Sequence, residues 1–288
     1  MIGACRGVRR TTLAAVTGHG LSFGRTLAIA AVAIALMTLD GSGVAGAFPV
    51  PSEPDAATTA AATGPAAALQ LPLKGKIVGI DPGHNGLNYT DPAYLDRQIW
   101  NGREWENCDT TGTETDGGYT EALFNFRVAE YLRTDLIRAG ARVVMTRTTN
   151  KGVGPCVNTR SFTINRGHAN VAVDIHADGA PSWGRGFAIL EPVADGPNNK
   201  VIASSARLGL DIRAAMLAYT KMPTSNYDGR NGITHRDDLA GLNLTKVPKI
   251  LIEVGNMKNG TDAKMETSAK FQQLVAKALL AAIIKFLR

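Results

Sequence analysis

The 288 residues leave room for one large core, and 44% of them are hydrophobic against 19% charged. The 31 basic and 25 acidic residues give a net charge of +6, with no long basic run, which is too little to argue for nucleic-acid binding. No G-x-S-x-G and no phosphate-binding loop occurs, so serine-hydrolase and nucleotide chemistry have no support.

Residues 1–25 carry Arg6, Arg9, Arg10 and Arg25 and no acid. An apolar run of 13 residues, Leu27 to Leu39, follows, and then Ala45-Gly46-Ala47. That order predicts an export signal over residues 1–47, cut before Phe48. The run is shorter than the ~20 residues that span a bilayer, so cleavage is expected rather than anchoring. Arg9-Arg10 leaves a twin-arginine route open beside the general one. Removing the signal takes four arginines and Asp40, leaving 27 basic and 24 acidic residues, +3, which suits an anionic surface such as a cell wall. Residues 48–73, rich in Ala, Pro and Thr, read as a linker, and the folded domain is expected over 74–288.

The first strand runs over Lys76–Ile80 and turns at Asp81-Pro82-Gly83-His84. Residues 87–118 are dense in Asn, Asp, Thr and Gly, an insert long enough to suggest function. Within it Asn101-Gly102 predicts a small hairpin. Thr120 is placed to cap a helix over about 121–138, where Phe124, Val128, Leu132 and Leu136 form one stripe. A strand over 141–146, a helix over about 158–169 and the strand Val171–His176 follow. Gly186–Glu191 reads as an edge strand, and a helix is expected over about 199–219. Lys249–Asn256 reads as a buried strand with Glu253 inside it, and a last helix runs from Ser268 to about Leu287. Strands alternating with helices predict an α/β single domain, a mostly parallel twisted sheet with helices on both faces.

If the strands ending at His84, His176 and Glu253 are parallel neighbours, those side chains meet at one sheet edge, where ligands of open α/β sheets bind. Zinc hydrolases take three protein ligands from histidines and carboxylates. His84 and His176 supply two. The third is open among Glu121, Asp81, Asp178 and Glu191. Glu253 is left as the group that moves protons. Asp178 and the loop residue His235 are candidate substrate contacts. After loss of Cys5 with the signal, Cys108 and Cys156 are an even count in an exported chain and are expected to form a disulfide.

Four motifs then line up. Ile80-Asp81-Pro82-Gly83-His84, Glu121 opening a helix, Val173-Asp174-Ile175-His176-Ala177-Asp178 and Ile252-Glu253-Val254-Gly255-Asn256 resemble, in this order, the zinc-dependent N-acetylmuramoyl-L-alanine amidases of the type-3 amidase family. The resemblance covers about residues 74–288. It implies Zn2+ held by His84, Glu121 and His176, with Glu253 as catalytic carboxylate. It also implies peptidoglycan fragments or muramyl peptides as substrate, outside the cytoplasm or in the cell wall. The cysteines and the export signal resemble the stand-alone mycobacterial members; a monomer with no stable membrane span after cleavage is expected. Two departures stand out: no added wall-binding module is found, and residues 87–118 do not read as a helix that blocks the site. A zinc peptidase acting on stem peptides and a non-catalytic wall-binding regulator are the alternatives.

Overall fold

The computed structural model describes residues 71–288. The expected export signal and all but the last residues of the expected linker lie outside the described residues.

In chain order the elements are β1 (Ile77–Pro82), α1 (Pro92–Leu95), β2 (Gln98–Trp100), β3 (Trp105–Asn107), α2 (Glu121–Arg138), β4 (Arg142–Met145), α3 (Val157–Arg166) and β5 (Val171–Asp178). They continue with β6 (Ala188–Pro192), α4 (Ile202–Thr220), β7 (Ile233–Arg236), α5 (Ala240–Asn243), β8 (Lys249–Asn256), α6 (Gly260–Glu266) and α7 (Ala269–Phe286). Six strands form one sheet in the order β4-β1-β5-β8-β6-β7, and β2 and β3 form the separate hairpin. β4, β1, β5 and β8 are mutually parallel, so β1, β5 and β8 are the adjacent parallel strands expected.

Two expectations are corrected. Gly186–Glu191 is not an edge: β6 lies between β8 and β7 and runs antiparallel to β8. The edge is β7, in a segment expected to be a polar loop. An edge strand has one neighbour and stays half-exposed, so Ile233-Thr234-His235-Arg236 needs no continuous apolar run.

The period of two along each strand sorts residues between the two faces. Val78, Ile80, Val173, Ile175, Ile250, Ile252 and Val254 point to one face and are fully buried. They pack with the α2 stripe Phe124, Val128, Leu132 and Leu136, and with Leu208 and Ile212 of α4 and Val275 and Leu279 of α7. α7 therefore spends its apolar side on the core, and among the described residues no helix is long and apolar enough to cross a membrane. The opposite face is covered by α3, α5 and the loops around them, and carries smaller apolar clusters. Asp81, Asp174, His176, Lys249 and Glu253 belong to this second face, alternating with the apolar set.

Cys108 and Cys156 form a disulfide, as expected, joining the end of the hairpin to the start of α3. It packs with Ile99 and with Ala240 and Leu244, tying the insert to the second face of the sheet.

Candidate metal centre

His84 stands two residues beyond β1. Its backbone is in the left-handed region (φ 57°), an uncommon conformation for a residue with a side chain. Buried Arg147 fixes the turn, its Nε donating to the Pro82 carbonyl (2.9 Å) and its Nη2 to those of Gly83 (3.1 Å) and Ala122 (2.8 Å). Gly83 has a specific reason to be glycine. A Cβ there would overlap the imidazole of His176. Glu121 opens α2, whose first turn is capped by Thr120 through the Leu123 amide.

Glu121 Oε1 lies 2.8 Å from His176 Nδ1 and 3.3 Å from His84 Nε2. The two imidazoles meet edge to face, centroids 4.9 Å apart at 87°. One donor atom from each of His84, Glu121 and His176 lies within 4.8 Å of the others. The second nitrogen of each ring faces an aspartate: His84 Nδ1 is 3.1 Å from Asp109 Oδ1, and His176 Nε2 is 3.4 Å from Asp174 Oδ1. Metal-ligating histidines are usually held this way, one nitrogen toward the ion and the other on a carboxylate or carbonyl. Two nitrogens and one oxygen, with one position open, are the donor set of a catalytic zinc site.

Electrostatics agrees with that fit. Burial lowers the pKa of both imidazoles, but the carboxylates around them outweigh it, raising His84 to about 9 through Glu121 and Asp109 and His176 well above its usual value. Burial pushes Glu121 up, and the two imidazoles more than offset this, holding it well below the usual carboxylate range. A cluster this rich in negative charge collects cations, and a metal ion would take the place of protons.

Glu253 sits on β8 directly opposite His176 on β5. Its Oε2 is buried and has no hydrogen-bond partner among the described residues. Burial raises its pKa to about 8, against the pull of His176. Glu253, His84, Glu121 and His176 line one cleft of ≈370 Å³, together with Asp178, Thr113 and Arg236. Asp178 is thus brought to the cleft. His235 is not: it is exposed on the other side of β7, 3.5 Å from Glu191 Oε2, because neighbours along a strand point to opposite faces. That alternation delivers Arg236, which sequence reasoning missed. Asp238 grips it at 2.7 Å on both Nε and Nη2. Of the other third-ligand candidates, Asp81 is 2.7 Å from Lys249 Nζ, and Glu191 faces Gly209 of α4 and His235.

A mostly parallel sheet with two histidines and a carboxylate converging beyond its strand ends, and a second carboxylate beside them, defines an α/β protein with a donor cluster that could hold a metal ion at the carboxyl ends of its strands. The comparisons with known proteins make this specific. Residues 78–285 match the family model described as N-acetylmuramoyl-L-alanine amidase, and the chain belongs to that family. It is 38% identical over 223 residues to an N-acetylmuramoyl-L-alanine amidase of Mycobacterium tuberculosis, covering 77% of this chain and 90% of the relative. It superposes on the crystal structure of the N-acetylmuramyl-L-alanine amidase Ami1 from Mycobacterium smegmatis with a TM-score of 0.70 and 37% identity, over 75% of this chain and 98% of that one. The apo form of Ami1 from Mycobacterium abscessus gives the same TM-score of 0.70 and 37% identity, over 75% of this chain and 100% of that one.

Proposed function

We propose that the enzyme hydrolyses the amide between the lactyl group of N-acetylmuramic acid and L-alanine of the stem peptide, with His84, Glu121 and His176 holding Zn2+ and Glu253 as general base. The observation that carries the roles is the unpartnered buried oxygen of Glu253, placed opposite His176 and open to the same cleft as the three donors. A buried carboxylate with nothing to bind is costly, and a proton-transfer role accounts for it.

Zinc, when bound, polarises the scissile carbonyl and the attacking water. Glu253 takes the proton that the water loses and returns it to the amide nitrogen as the C–N bond breaks. The products are a lactyl carboxylate and the free amine of L-alanine. Glu121 Oε1 reaches both imidazoles, 2.8 Å from His176 Nδ1 and 3.3 Å from His84 Nε2, and so sets the two rings relative to each other. Asp109 and Asp174 fix the ring orientations from behind. Arg236 has two donors taken by Asp238, and Nη1 makes no hydrogen bond among the described residues. It offers the cleft that Asp178 also lines a donor for a substrate carbonyl or carboxylate.

Export belongs to the same reading. The basic, apolar and small-residue order of residues 1–47 supports a mature enzyme outside the cytoplasm, at the cell wall, and the disulfide supports the same reading.

The test is product analysis by mass spectrometry on purified muramyl peptides. A free lactyl carboxylate paired with a peptide that begins at L-alanine is expected. Released D-alanine or opened cross-links, with the muramyl bond intact, would favour the zinc peptidase instead.

A further inference from the structure

The aspartates behind the two imidazoles are themselves held, and the path from one leads to the other. Asp109 Oδ2 is 3.1 Å from Arg160 Nη2, and Arg160 Nη1 is 3.3 Å from Asp81 Oδ1. Asp81 Oδ2 is 2.7 Å from Lys249 Nζ, and the same ammonium is 2.9 Å from Asp174 Oδ2. Asp174 Oδ1 then faces His176, and Glu121 joins His176 to His84. The contacts close into a ring: His84, Asp109, Arg160, Asp81, Lys249, Asp174, His176, Glu121 and back. From Asp109 to Asp174 the charges alternate in sign at every step. The side chains of Asp81 and Lys249 are 1% exposed and that of Arg160 3%, so water contributes little to holding them.

We propose that Lys249 is a positioning residue for the metal centre, the point at which the supports of both histidines are fastened together. This rests on the reading of His84, Glu121 and His176 as ligands. Replacing buried ion pairs by apolar side chains is often neutral or stabilising, so stability alone is a weak reason for an ammonium here. The partners show what it does instead. Asp81 has Thr146 (2.6 Å) and Arg160 besides the lysine. Among the described residues Asp174 has only Lys249 and the His176 ring, and its Oδ1 is buried and makes no aligned hydrogen bond. Lys249 therefore fixes the rotamer of Asp174, and Asp174 fixes the ring of His176. On the other side, Asp81 and Arg160 carry the same constraint to Asp109 and His84. Lys249 stands four residues before Glu253 on the same face of β8, so one strand sets both the base and the frame of the ligands.

Lys249→Met alone strands two buried carboxylates and risks the fold. The informative variant is Lys249→Met with Asp174→Asn. It removes one charge of each sign, leaves Asp81 with Arg160, and keeps an oxygen beside His176. The readouts are zinc affinity by competition with a chromogenic chelator, the visible absorption of the Co2+-loaded protein, and circular dichroism of the metal-free protein. The expected result is a native dichroism spectrum, zinc affinity lower by about 10- to 100-fold, and a changed cobalt band. Lys285→Met, which removes an exposed ammonium paired with Asp211, should change none of the three. A double variant that holds zinc within twofold of the parent, with an unchanged cobalt band, makes Lys249 a packing residue and overturns the inference. A parent that holds no zinc overturns the metal reading and the inference with it.

Discussion

The two faces of the central sheet are made by the same strands and are chemically opposite. Ile250, Ile252 and Val254 of β8 enter the apolar core under α2, α4 and α7, while Lys249 and Glu253, between and beside them, enter the face that carries the ions. β5 repeats the division, with Val173 and Ile175 against Asp174 and His176. The apolar face is redundant: many side chains share one task, and the loss of any one leaves the rest. The ionic face is not, because each charged group answers to one or two named partners. Stability is therefore concentrated on one side of the sheet and chemistry on the other, 180° apart along each strand.

The largest effect should come from the ionic face. Glu253→Gln removes the proton acceptor with little change in shape, and turnover should fall by about 10²–10⁴. Zinc content and thermal stability should be kept. Near-normal turnover would end the catalytic assignment, and lost zinc would make Glu253 a ligand and reopen the place of Glu121.

One step back on the same strand, Ile252→Ala should show the opposite profile. A cavity at this fully buried site should cost about 2–5 kcal/mol of unfolding free energy, read by denaturant titration. The folded fraction should bind zinc and turn over substrate as the parent does. If its zinc affinity drops as well, the two faces are not separable in the way their side chains suggest.

The smallest effect sharpens what a buried carboxylate needs. Asp81 has cations beside it, and although burial pushes its pKa up, Lys249 and Arg160 hold it well below the usual range. Glu266, on α6 against Gly255, is equally buried, and both its oxygens are unpartnered among the described residues. Burial first, then the charge of Asp262, raises it to about 9 from 4.5. A carboxyl with a raised folded pKa contributes stability that is full below its unfolded value and is lost as pH rises toward the folded one. Stability from this group should thus decline between about pH 4.5 and 9. Glu266→Gln should raise unfolding free energy by on the order of 1 kcal/mol at pH 8 and leave it unchanged near pH 4.5, measured by calorimetry across that range. A parallel shift at both pH values would mean that Glu266 is not titrating there.

Much of this was legible in the sequence, for a physical reason. Asp81-Pro82-Gly83-His84, His176-Ala177-Asp178 and Glu253-Val254-Gly255 each put a functional group just where an apolar run stops, and parallel strands bring such stops to one edge. The stripe on α2 repeats every four residues, and all four of its members are fully buried. The missed parts lack such signals. β7 is short and polar because an edge strand tolerates polarity, so Arg236 was hidden behind His235. α5 and α6 have four and seven residues, too few for a period to show. Asp109, Arg160 and Lys249 lie far apart in the chain, and which distant charges will pair is decided by topology, which a single sequence does not display.

The disulfide has a bearing on timing. Cys108 immediately precedes Asp109, and Cys156 caps α3, which carries Arg160 one turn in. Both residues behind His84 are thus hung from the two ends of one covalent bond. A chain still in a reducing cytosol lacks that bond, and there the frame of His84 relies on packing alone. On the proposed export, crossing into an oxidising compartment finishes the frame, and the amidase is completed outside the cytoplasm and not where it is synthesised. Reduced, folded protein should accordingly lose zinc to a chelator faster than oxidised protein. Equal loss from the two forms would uncouple the bond from the centre and leave it as a staple of the insert.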